Sequence, residues 1–560
     1  MKEKKKAGGQ VPVTDVPKKK RTIPQPLLWL IAACFILYFP TLQFGFTELD
    51  DSIFIRELHL YNEDLSNLWT SFKRGVFDAT NDTYYRPLFL NSMILNYQIS
   101  EQEISGYRLV NLLLHVLSTV FVFKLLLKIG VEKLTAFLLA LVFAVHPVLS
   151  QAVVWIPGRN DTLMSVFVLP FLITAIDYTH SKKLLSLIIS TLCLIAAVFT
   201  KETALFASAS AFVLLVIVLK NNWKEKTLLV QYVVWFATIG IYFVARSTAT
   251  LKQQMLVPSQ MLDDFAHRLP LLIQYLGKIF LPFNLSVFPI QQDTSYYFGI
   301  AALVILAALL FFASNKNTRL IIGGVLFFIV FLIPVLFVPN NLNEQTFEHR
   351  LYLPIIGILL VLSQSVIFKN KLAGAKKLYI VTSIVVLYAF INYRHQQNFK
   401  DPLSFWSQAS NTSPHSAYAL MMYGARVEDK QQGYALMRRA YQLNPNEKYL
   451  NYYYGVMLQN QDSVLASEKY FLKEQEISDY FECDFYLAQV DYQKDNKDGA
   501  QKHLERYLTR DSMNSAANNN LLLLYLGTNK KDKALNHISN MQRRGLTVPP
   551  NLIQQAQLLQ

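Results

Sequence analysis

The sequence has little cysteine and few charged side chains. Its 560 residues include three cysteines, Cys34, Cys193 and Cys483, too few for a scaffold built on disulfides. Charged residues make up 16% of the chain and hydrophobic residues 52%, and the mean hydropathy is +0.24. Soluble globular chains rarely show this balance. The composition therefore predicts an integral membrane protein.

The motifs of several common enzyme classes are also absent. The sequence contains no Gly-rich nucleotide-binding loop, no Cys/His spacing typical of a metal site and no Ser-nucleophile elbow. The net charge of +14 does not indicate nucleic-acid binding, because the basic residues stand in short clusters between apolar segments, as membrane topology requires. We therefore expect neither cytosolic ATP chemistry nor a nucleic-acid partner.

Apolar segments predict the membrane topology. A helix needs roughly 20 residues to cross a bilayer, and a basic tail at residues 1–26 precedes the first such segment and anchors it in the cytoplasm. The stretch 269–289 is interrupted by Gly277, Lys278 and Pro282, so we interpret it as re-entrant or interfacial. Basic clusters at alternate joints then favour eleven full spans, at about 27–44, 107–128, 134–156, 161–178, 184–199, 203–219, 227–246, 298–313, 319–338, 350–368 and 377–393.

The C-terminal part of the sequence carries an internal repeat. Ala435, Ala466, Ala500 and Ala534 are separated by 31, 34 and 34 residues, which is close to the tetratricopeptide period. The pairs Tyr423-Gly424, Tyr454-Gly455 and Leu487-Ala488 support first helices of the repeats. About four repeats fit, enough for a stacked solenoid that holds a peptide or protein, or that only stabilises the membrane part or a partner complex.

Paired carboxylates stand where the first predicted span leaves the membrane. Asp50 and Asp51 open an acidic outer loop at about 45–106. Adjacent carboxylates repel, which can raise one pKa and create a general base. They can instead share a divalent cation, or simply cap the following helix.

Basic residues collect at the other predicted outer joints, against the usual preference for the cytoplasmic side. A lipid-linked phosphate would explain their convergence, since Arg offers forked donors and Lys a point charge. Taken alone, each one is better explained by snorkelling or by an ion pair with Glu202, Asp161 or Glu348. The phosphate-binding candidates are Lys201, Arg159, His349 and Arg350, and the supporting candidates are Arg86, His146, Asp161, Glu202 and Glu348.

These motifs, in this order, resemble those of the transmembrane and tetratricopeptide-repeat-containing O-mannosyltransferase-like proteins of the GT-C glycosyltransferase superfamily. The resemblance rests on Asp50-Asp51, Tyr85-Arg86-Pro87-Leu88, His146-Pro147, Gly158-Arg159, Lys201-Glu202 and Glu348-His349-Arg350-Leu351-Tyr352-Leu353-Pro354, followed by the repeats. It implies an all-α protein, with a transmembrane GT-C domain at 27–395 and a tetratricopeptide α-solenoid at 405–560 on the outer face.

The resemblance implies inverting transfer of a sugar from a polyprenyl-phosphate carrier to Ser or Thr hydroxyls of proteins. Asp50 or Asp51 would be the base, with Asp50 preferred and the other carboxylate orienting the acceptor or a divalent cation. The basic candidates would stabilise the leaving phosphate, Arg86 would support the outer loop, and the repeats would present the acceptor. We expect the periplasmic face of a bacterial inner membrane, or the endoplasmic reticulum in a eukaryote.

Two alternatives remain open on the sequence. An oligosaccharyltransferase or ligase of the same superfamily would use a lipid-pyrophosphate glycan, for which the same basic cluster would serve. A non-enzymatic membrane scaffold would use the repeats to bind a client, and its outer polar clusters would be ion pairs only.

Overall fold

The protein is built from helices. The computed structural model describes residues 25–77, 84–249, 258–337, 345–369 and 374–559. Within these ranges the extended pairing is limited to one isolated bridge, between Ile290 and Gln345. The first 24 residues of the predicted basic tail lie outside the described part. The predicted all-α class is confirmed.

The N-terminal part contains eighteen of the described α-helices. Short 3-10 or π-helical turns link several of them, including Glu202–Phe206, Val213–Val218 and Glu348–Leu351. The α-helices are α1 (Gln25–Tyr38), α2 (His59–Glu63), α3 (Asn67–Thr70), α4 (Pro87–Ser100), α5 (Ile104–Lys128), α6 (Lys133–Val145), α7 (Ser150–Val154), α8 (Arg159–Ser181), α9 (Leu184–Thr200), α10 (Ala207–Phe212), α11 (Lys226–Ala249), α12 (Pro258–Arg268), α13 (Leu271–Phe280), α14 (Tyr297–Phe311), α15 (Thr318–Leu336), α16 (Pro354–Leu362), α17 (Val366–Lys369) and α18 (Gly374–Gln396).

Six of the described helical segments are long and apolar enough to cross a bilayer. A seventh results if the bent pair Lys133–Val145 and Pro147–Val154, which meet at 51°, is one span. Three shorter apolar helices, Leu184–Thr200, Glu202–Val218 and Tyr297–Phe311, accompany them, so a count of eleven stays a prediction. The six are Gln25–Gln43, Ile104–Lys128, Ile156–Ser181, Lys226–Ala249, Thr318–Leu336 and Lys376–Phe399.

Two predicted segments differ from simple spans. The segment 350–368 contains α16, whose nine residues are about 14 Å long at 1.5 Å per residue, and the helix ends before α17 begins. All residues from Pro354 to Val361 are buried inside the bundle. Helix α13, in the stretch interpreted as re-entrant, has ten residues and is about 15 Å long, half the thickness of the hydrocarbon core.

The described residues of the first loop, 45–77 and 84–106, contain a small apolar core. It is formed mainly by the π-helical turn Ile53–Glu57 and by α4, and the rings of Phe54 and Phe89 within it meet edge to face at 5.0 Å. Tyr107 of α5 and Ile156 extend this core toward the bundle. Because the loop has its own packed interior, its polar residues are held in place against the membrane helices.

The C-terminal part consists of consecutive helices that form antiparallel pairs. Asp401 caps the first of them by accepting a hydrogen bond from the Ser404 amide at 2.8 Å, and Pro402 occupies the first helical position. The helices are α19 (Pro402–Thr412), α20 (Ala417–Gly424), α21 (Lys430–Leu443), α22 (Leu450–Gln459), α23 (Val464–Ser478), α24 (Glu482–Gln493), α25 (Lys497–Arg510), α26 (Ser515–Gly527), α27 (Lys531–Arg543) and α28 (Pro550–Leu558).

The repeat is present, and the four alanines that mark it in the sequence differ in burial. Ala500 and Ala534 are fully buried, whereas Ala435 and Ala466 are exposed. The buried small residue is the fourth residue of each second helix: Gly433, Ser467, Ala500 and Ala534, spaced 34, 33 and 34 residues apart. Alanine is favourable at exposed and buried helix positions alike. In the first two repeats the alanine that sets the spacing in the sequence is therefore an exposed neighbour of the buried small residue.

Glycine pairs set the closest helix crossings in the bundle. A Cβ atom added to Gly357 of α16 would lie 2.3 Å from the carbonyl oxygen of Gly324 in α15. A Cβ atom on Gly277 of α13 would lie 2.6 Å from the amide nitrogen of Gly299 in α14. Small residues let the backbones approach, which is how membrane helices gain contact area.

We expect Gly357→Ala to destabilise the bundle by about 1–3 kcal/mol, because the added methyl group forces α15 and α16 apart. Gly240→Ala in α11 is the matched control, since no described atom lies within 4 Å of its added Cβ. Thermal unfolding of the detergent-purified variants, followed by tryptophan fluorescence, measures both. Equal unfolding temperatures for the two variants would contradict this packing.

Candidate functional site

The turn at residues 44–51 carries the paired carboxylates in a rare backbone conformation. Glu48 has a φ of 56° and Asp50 a φ of 65°, both in the left-handed region that non-glycine residues seldom adopt. Such residues persist where the surrounding structure fixes them, and they cluster at functional sites. The turn is therefore a candidate functional element.

Buried side chains of the membrane part hold this turn. The Arg108 guanidinium donates to the carbonyl oxygens of Phe44 at 3.2 Å and of Gly45 at 2.5 Å. The Trp155 indole donates to the Leu49 carbonyl oxygen at 2.8 Å. Sequence reasoning missed both residues. The signal for Arg108 was a charged residue inside a predicted span, which is costly unless it is satisfied.

Asp51 is a structural member of the turn. Its Oδ2 accepts hydrogen bonds from the Thr47 amide at 2.7 Å and the Thr47 hydroxyl at 2.9 Å. Its Oδ1 accepts one from the Ser52 amide at 3.0 Å, and the side chain is completely buried. Asp51 therefore caps the turn itself, as a carboxylate with several local donors does.

Asp50 differs from its neighbour. In the described part of the chain its carboxylate accepts no hydrogen bond, and the residue is half-buried. Burial and the adjacent Asp51 raise the pKa of Asp50 to about 7, against the opposing effect of Arg86. A half-exposed carboxylate with such a pKa suits a general base.

Two ion pairs lie close together, and Arg86 of the first pair acts electrostatically on Asp50. Arg86 donates through Nε to Glu202 Oε2 at 2.8 Å and through Nη2 to the other carboxylate oxygen. Lys201 Nζ contacts both carboxylate oxygens of Asp161, at 2.7 and 2.8 Å, and both side chains are buried. The structure thus brings these four predicted residues together as ion pairs, the simpler of the two explanations given by the sequence.

His349 joins this cluster. Its Nε2 lies 3.9 Å from Asp161 Oδ2, and its ring stacks on Phe347 at 5.2 Å. Burial, together with Lys201, Arg350 and Arg86, holds the pKa of His349 well below its usual value. The imidazole is therefore neutral at neutral pH and can act only as a dipolar hydrogen-bonding group.

Gln151 orients His349 and was missed by sequence reasoning. Its Oε1 accepts from the amides of Glu348 at 2.9 Å and His349 at 3.1 Å, and lies 3.2 Å from His349 Nδ1. Its Nε2 donates to the Val287 carbonyl oxygen at 2.9 Å. One amide thus ties α7 to both the Glu348–Leu351 turn and the loop after α13.

Arg350 acts electrostatically on a second arginine. Its Nη1 donates to the Gln345 carbonyl oxygen at 2.9 Å, and its guanidinium stands 5.8 Å from the Phe347 ring centre. Burial and then the positive charge of Arg350 lower the pKa of Arg268 to about 10, against the opposing effects of Tyr275 and Asp264. Guanidinium groups supply forked donors to anionic oxygens, so the two arginines are candidates to bind an anion. Arg268, at the end of α12, was not among the predicted residues.

Arg159 does not join the basic cluster. It is completely buried, and its five N–H groups point at protein acceptors. Those within 3.1 Å are Asn111 Oδ1, Asn96 Oδ1 and the carbonyl oxygens of Ser92 and Tyr107. In this arrangement no donor is left for a phosphate, so Arg159 connects the first-loop helix α4 to α5 and α8.

His146 and Glu348 are structural as well. His146 Nε2 contacts the Ile279 carbonyl oxygen at 2.9 Å, while Nδ1 accepts from the Val148 amide at 3.2 Å. Glu348 Oε1 accepts from Lys278 Nζ at 2.6 Å and from the Ser286 amide at 2.9 Å. Both residues therefore attach helix α13 to the site, and Lys278 is a further residue that was not among the predicted site residues.

The described residues contain no group of three or more His, Cys, Asp or Glu side chains that could hold a metal ion. Both oxygens of Asp51 already accept hydrogen bonds, so Asp50 alone offers a free carboxylate. A divalent cation shared by the pair does not fit these contacts.

Parts of this chain are similar to known proteins. No family model matches the chain. The chain is 36% identical to human protein O-mannosyl-transferase TMTC3 over 159 residues, 28% of this chain and 17% of the relative. It is 31% identical to the mouse TMTC3 over 173 residues, 30% of this chain and 18% of that relative. It is 30% identical to Tmtc1 of Drosophila melanogaster over 203 residues, 34% of this chain and 23% of the relative.

The matched part thus spans about a fifth of each of these relatives. The resemblance to this group of protein O-mannosyltransferases, stated from the motifs, is confirmed.

We expect Lys278→Met to destabilise the protein by about 3–5 kcal/mol, because it leaves the completely buried Glu348 carboxylate without its ion-pair partner. The double variant Lys278→Met/Glu348→Gln removes the unpaired charge and should recover most of the loss. Thermal unfolding in detergent compares the three proteins. A single variant as stable as the wild type would show that the pair is not desolvated.

Proposed function

We propose that this protein is a membrane glycosyltransferase of the GT-C type, which moves a sugar from a polyprenyl-phosphate carrier to Ser or Thr hydroxyls of proteins. The observation that carries the proposal is the division between the two carboxylates, Asp51 bonded within its turn and Asp50 unbonded with a raised pKa. The names of the relatives, protein O-mannosyl-transferases, support the same reaction.

Asp50 would act as the general base. As the acceptor hydroxyl oxygen attacks the anomeric carbon of the sugar, its proton passes to the Asp50 carboxylate. The bond from the anomeric carbon to the phosphate oxygen breaks on the opposite face, and the lipid phosphate leaves with the electron pair. One displacement of this kind inverts the anomeric configuration, which agrees with the inverting transfer expected from the resemblance.

Arg350 and Arg268 are the best candidates to bind the leaving phosphate. Arg350 acts electrostatically on Arg268, and two guanidinium groups can each supply paired donors to phosphate oxygens. His349 lies next to Arg350 and can add a neutral hydrogen bond. Of the four residues predicted from the sequence, Arg350 and His349 keep this role in the proposal.

Lys201 and Arg86 would have an electrostatic role. Lys201 is neutralised by Asp161 and Arg86 by Glu202, so neither presents a free cation to the donor. Each ion pair is nearly neutral overall. The two pairs therefore support the site without lowering the Asp50 pKa to its ordinary value. Arg86 also supports the first loop, the role expected for it from the sequence.

The repeat helices, which we assign to the tetratricopeptide class, would present the acceptor polypeptide. Tyr418 of α20 stacks on Phe288 at 5.6 Å and lies within electrostatic reach of Asp50. The first repeat therefore borders the proposed base. The reaction would take place on the periplasmic side of a bacterial inner membrane, or in the lumen of the endoplasmic reticulum.

Separate Asp50→Asn and Asp51→Asn variants test the function. We expect Asp50→Asn to lower the transfer rate about 100-fold or more, because the base is lost while the shape is kept. Asp51→Asn keeps most local hydrogen bonds and should cost less activity. Intact-mass measurement of periplasmic or lumenal proteins from cells with matched expression reports the transfer.

The wild-type mass difference identifies the donor. One hexose per site supports a monosaccharide carrier, whereas a larger uniform glycan indicates an oligosaccharyltransferase. If no protein glycosylation in wild-type cells depends on this chain, the proposed transferase function is wrong and the scaffold alternative is favoured.

The pH dependence of the purified enzyme gives an independent prediction. The base must be deprotonated, and the pKa of Asp50 is about 7, so kcat should rise with pH and level off above about 7. An acid limb near pH 4, the ordinary value for aspartate, would show that another group is the base.

A further inference from the structure

We propose that Arg426, in the first repeat, is a positioning residue that holds Asp50 in its reactive orientation through Glu48. The inference rests on the proposed function, in which Asp50 is the base. It makes the C-terminal part of the chain a component of the catalytic site, in addition to a surface that presents the acceptor.

The contact between the two parts is direct. Arg426 donates to Glu48 Oε2 through Nε at 3.0 Å and through Nη2 at 2.6 Å. The residues are 378 positions apart, so the ion pair joins the turn at 44–51 to the segment after α20. A second contact lies nearby, where the Gly45 amide donates to the Lys400 carbonyl oxygen at 2.7 Å.

Arg426 is itself oriented by its own repeat. Its Nη1 donates to the Met422 carbonyl oxygen at 2.8 Å, and its guanidinium stands 5.9 Å from the ring centre of the fully buried Trp406. Only the Nε and Nη2 edge faces Glu48. A guanidinium fixed on one edge gives its partner a defined direction, which a flexible lysine would not give.

The effect of the pair reaches Asp50 through the backbone. Glu48 and Asp50 are the two left-handed residues, and Leu49 between them is fixed by the indole of Trp155. Because the Leu49 carbonyl group is held in place, a backbone rotation at Glu48 requires a compensating backbone rotation at Asp50. Releasing Glu48 would therefore let the turn relax toward common backbone conformations and move the free carboxylate.

The pair is suited to positioning and not to stability. The side chains of Arg426 and Glu48 remain 18% and 37% exposed. Ion pairs with this exposure contribute little to folding, so variants should fold normally. A loss of activity would then report on geometry.

Four variants test the proposal: Arg426→Gln, Glu48→Gln, the charge swap Glu48→Arg/Arg426→Glu and, as control, Arg439→Gln. Arg439 lies in the same repeat, and its described hydrogen bond goes to the Pro414 carbonyl oxygen. Transfer from polyprenyl-phosphate mannose to a Ser/Thr peptide gives kcat and KM. We expect each single Gln variant at Arg426 or Glu48 to lower kcat at least 10-fold, with the donor KM within 2-fold of wild type.

The charge swap should recover at least a third of the wild-type kcat, and the control should match wild type. Retention of full kcat in Arg426→Gln overturns the proposal. An equal loss in Arg439→Gln also overturns it, because the effect would then be a general disturbance of the repeat.

A second measurement does not depend on activity. Hydrogen–deuterium exchange of peptides covering residues 44–51 should increase at least 5-fold in Arg426→Gln, while peptides from α5 and α8 exchange as in wild type. If the wild type transfers no sugar, the proposed function fails but this comparison still tests the coupling. Unchanged exchange at 44–51 in Arg426→Gln overturns it.

Discussion

The immobilisation of one turn, residues 44–51, is the constraint on which the rest of the site depends. Its two left-handed residues are unfavourable alone, and they are kept in place by groups that come from distant parts of the chain. Arg108 and Trp155 of the membrane part donate hydrogen bonds to its carbonyl oxygens, and Arg426 of the repeats donates to the Glu48 carboxylate. The membrane bundle, the first loop and the repeats must all be folded before Asp50 has a defined direction.

The same turn separates two carboxylates that the sequence presents as equivalent. Asp51 is drawn inward, where Thr47 and Ser52 satisfy both of its oxygens. Asp50 is left partly buried beside the charge of its neighbour, and both effects raise its pKa. In the proposed reaction the capping residue Asp51 thus has a second function, because its charge helps to raise the pKa of the base.

Much of the fold and part of the site could be predicted from the sequence. Long apolar segments fix helix positions because the bilayer demands them, and the outer-joint motifs converge as expected in the cases of Arg86, Lys201 and Glu202. The sequence does not determine which group each charged side chain pairs with. Arg159 and Lys201 are similar in sequence context. Arg159 nevertheless donates to five protein acceptors, whereas Lys201 pairs with a single carboxylate.

Residues missed by the sequence reasoning are those whose partners are remote. Lys278, Gln151 and Arg268 lie in apolar or unremarkable surroundings, and only the fold brings them to Glu348, His349 and Arg350. The repeat shows the same limit on a smaller scale. The period of about 34 residues is visible in the sequence. Ala435 and Ala466, however, are exposed neighbours of the buried small residues Gly433 and Ser467, because alanine favours a helix without indicating its buried face.

Charge is distributed across the site in a way that serves both ends of the proposed reaction. A base near neutral pKa needs few uncompensated cations beside it, whereas a leaving phosphate needs several. In the proposed reaction, Glu202 and Asp161 neutralise Arg86 and Lys201, and Arg86 is the cation that acts on the Asp50 pKa, while Arg268 and Arg350 serve the phosphate. Because the cation that acts on the base is paired, the pKa of the base stays near neutral, and the leaving phosphate can still be stabilised by the two arginines.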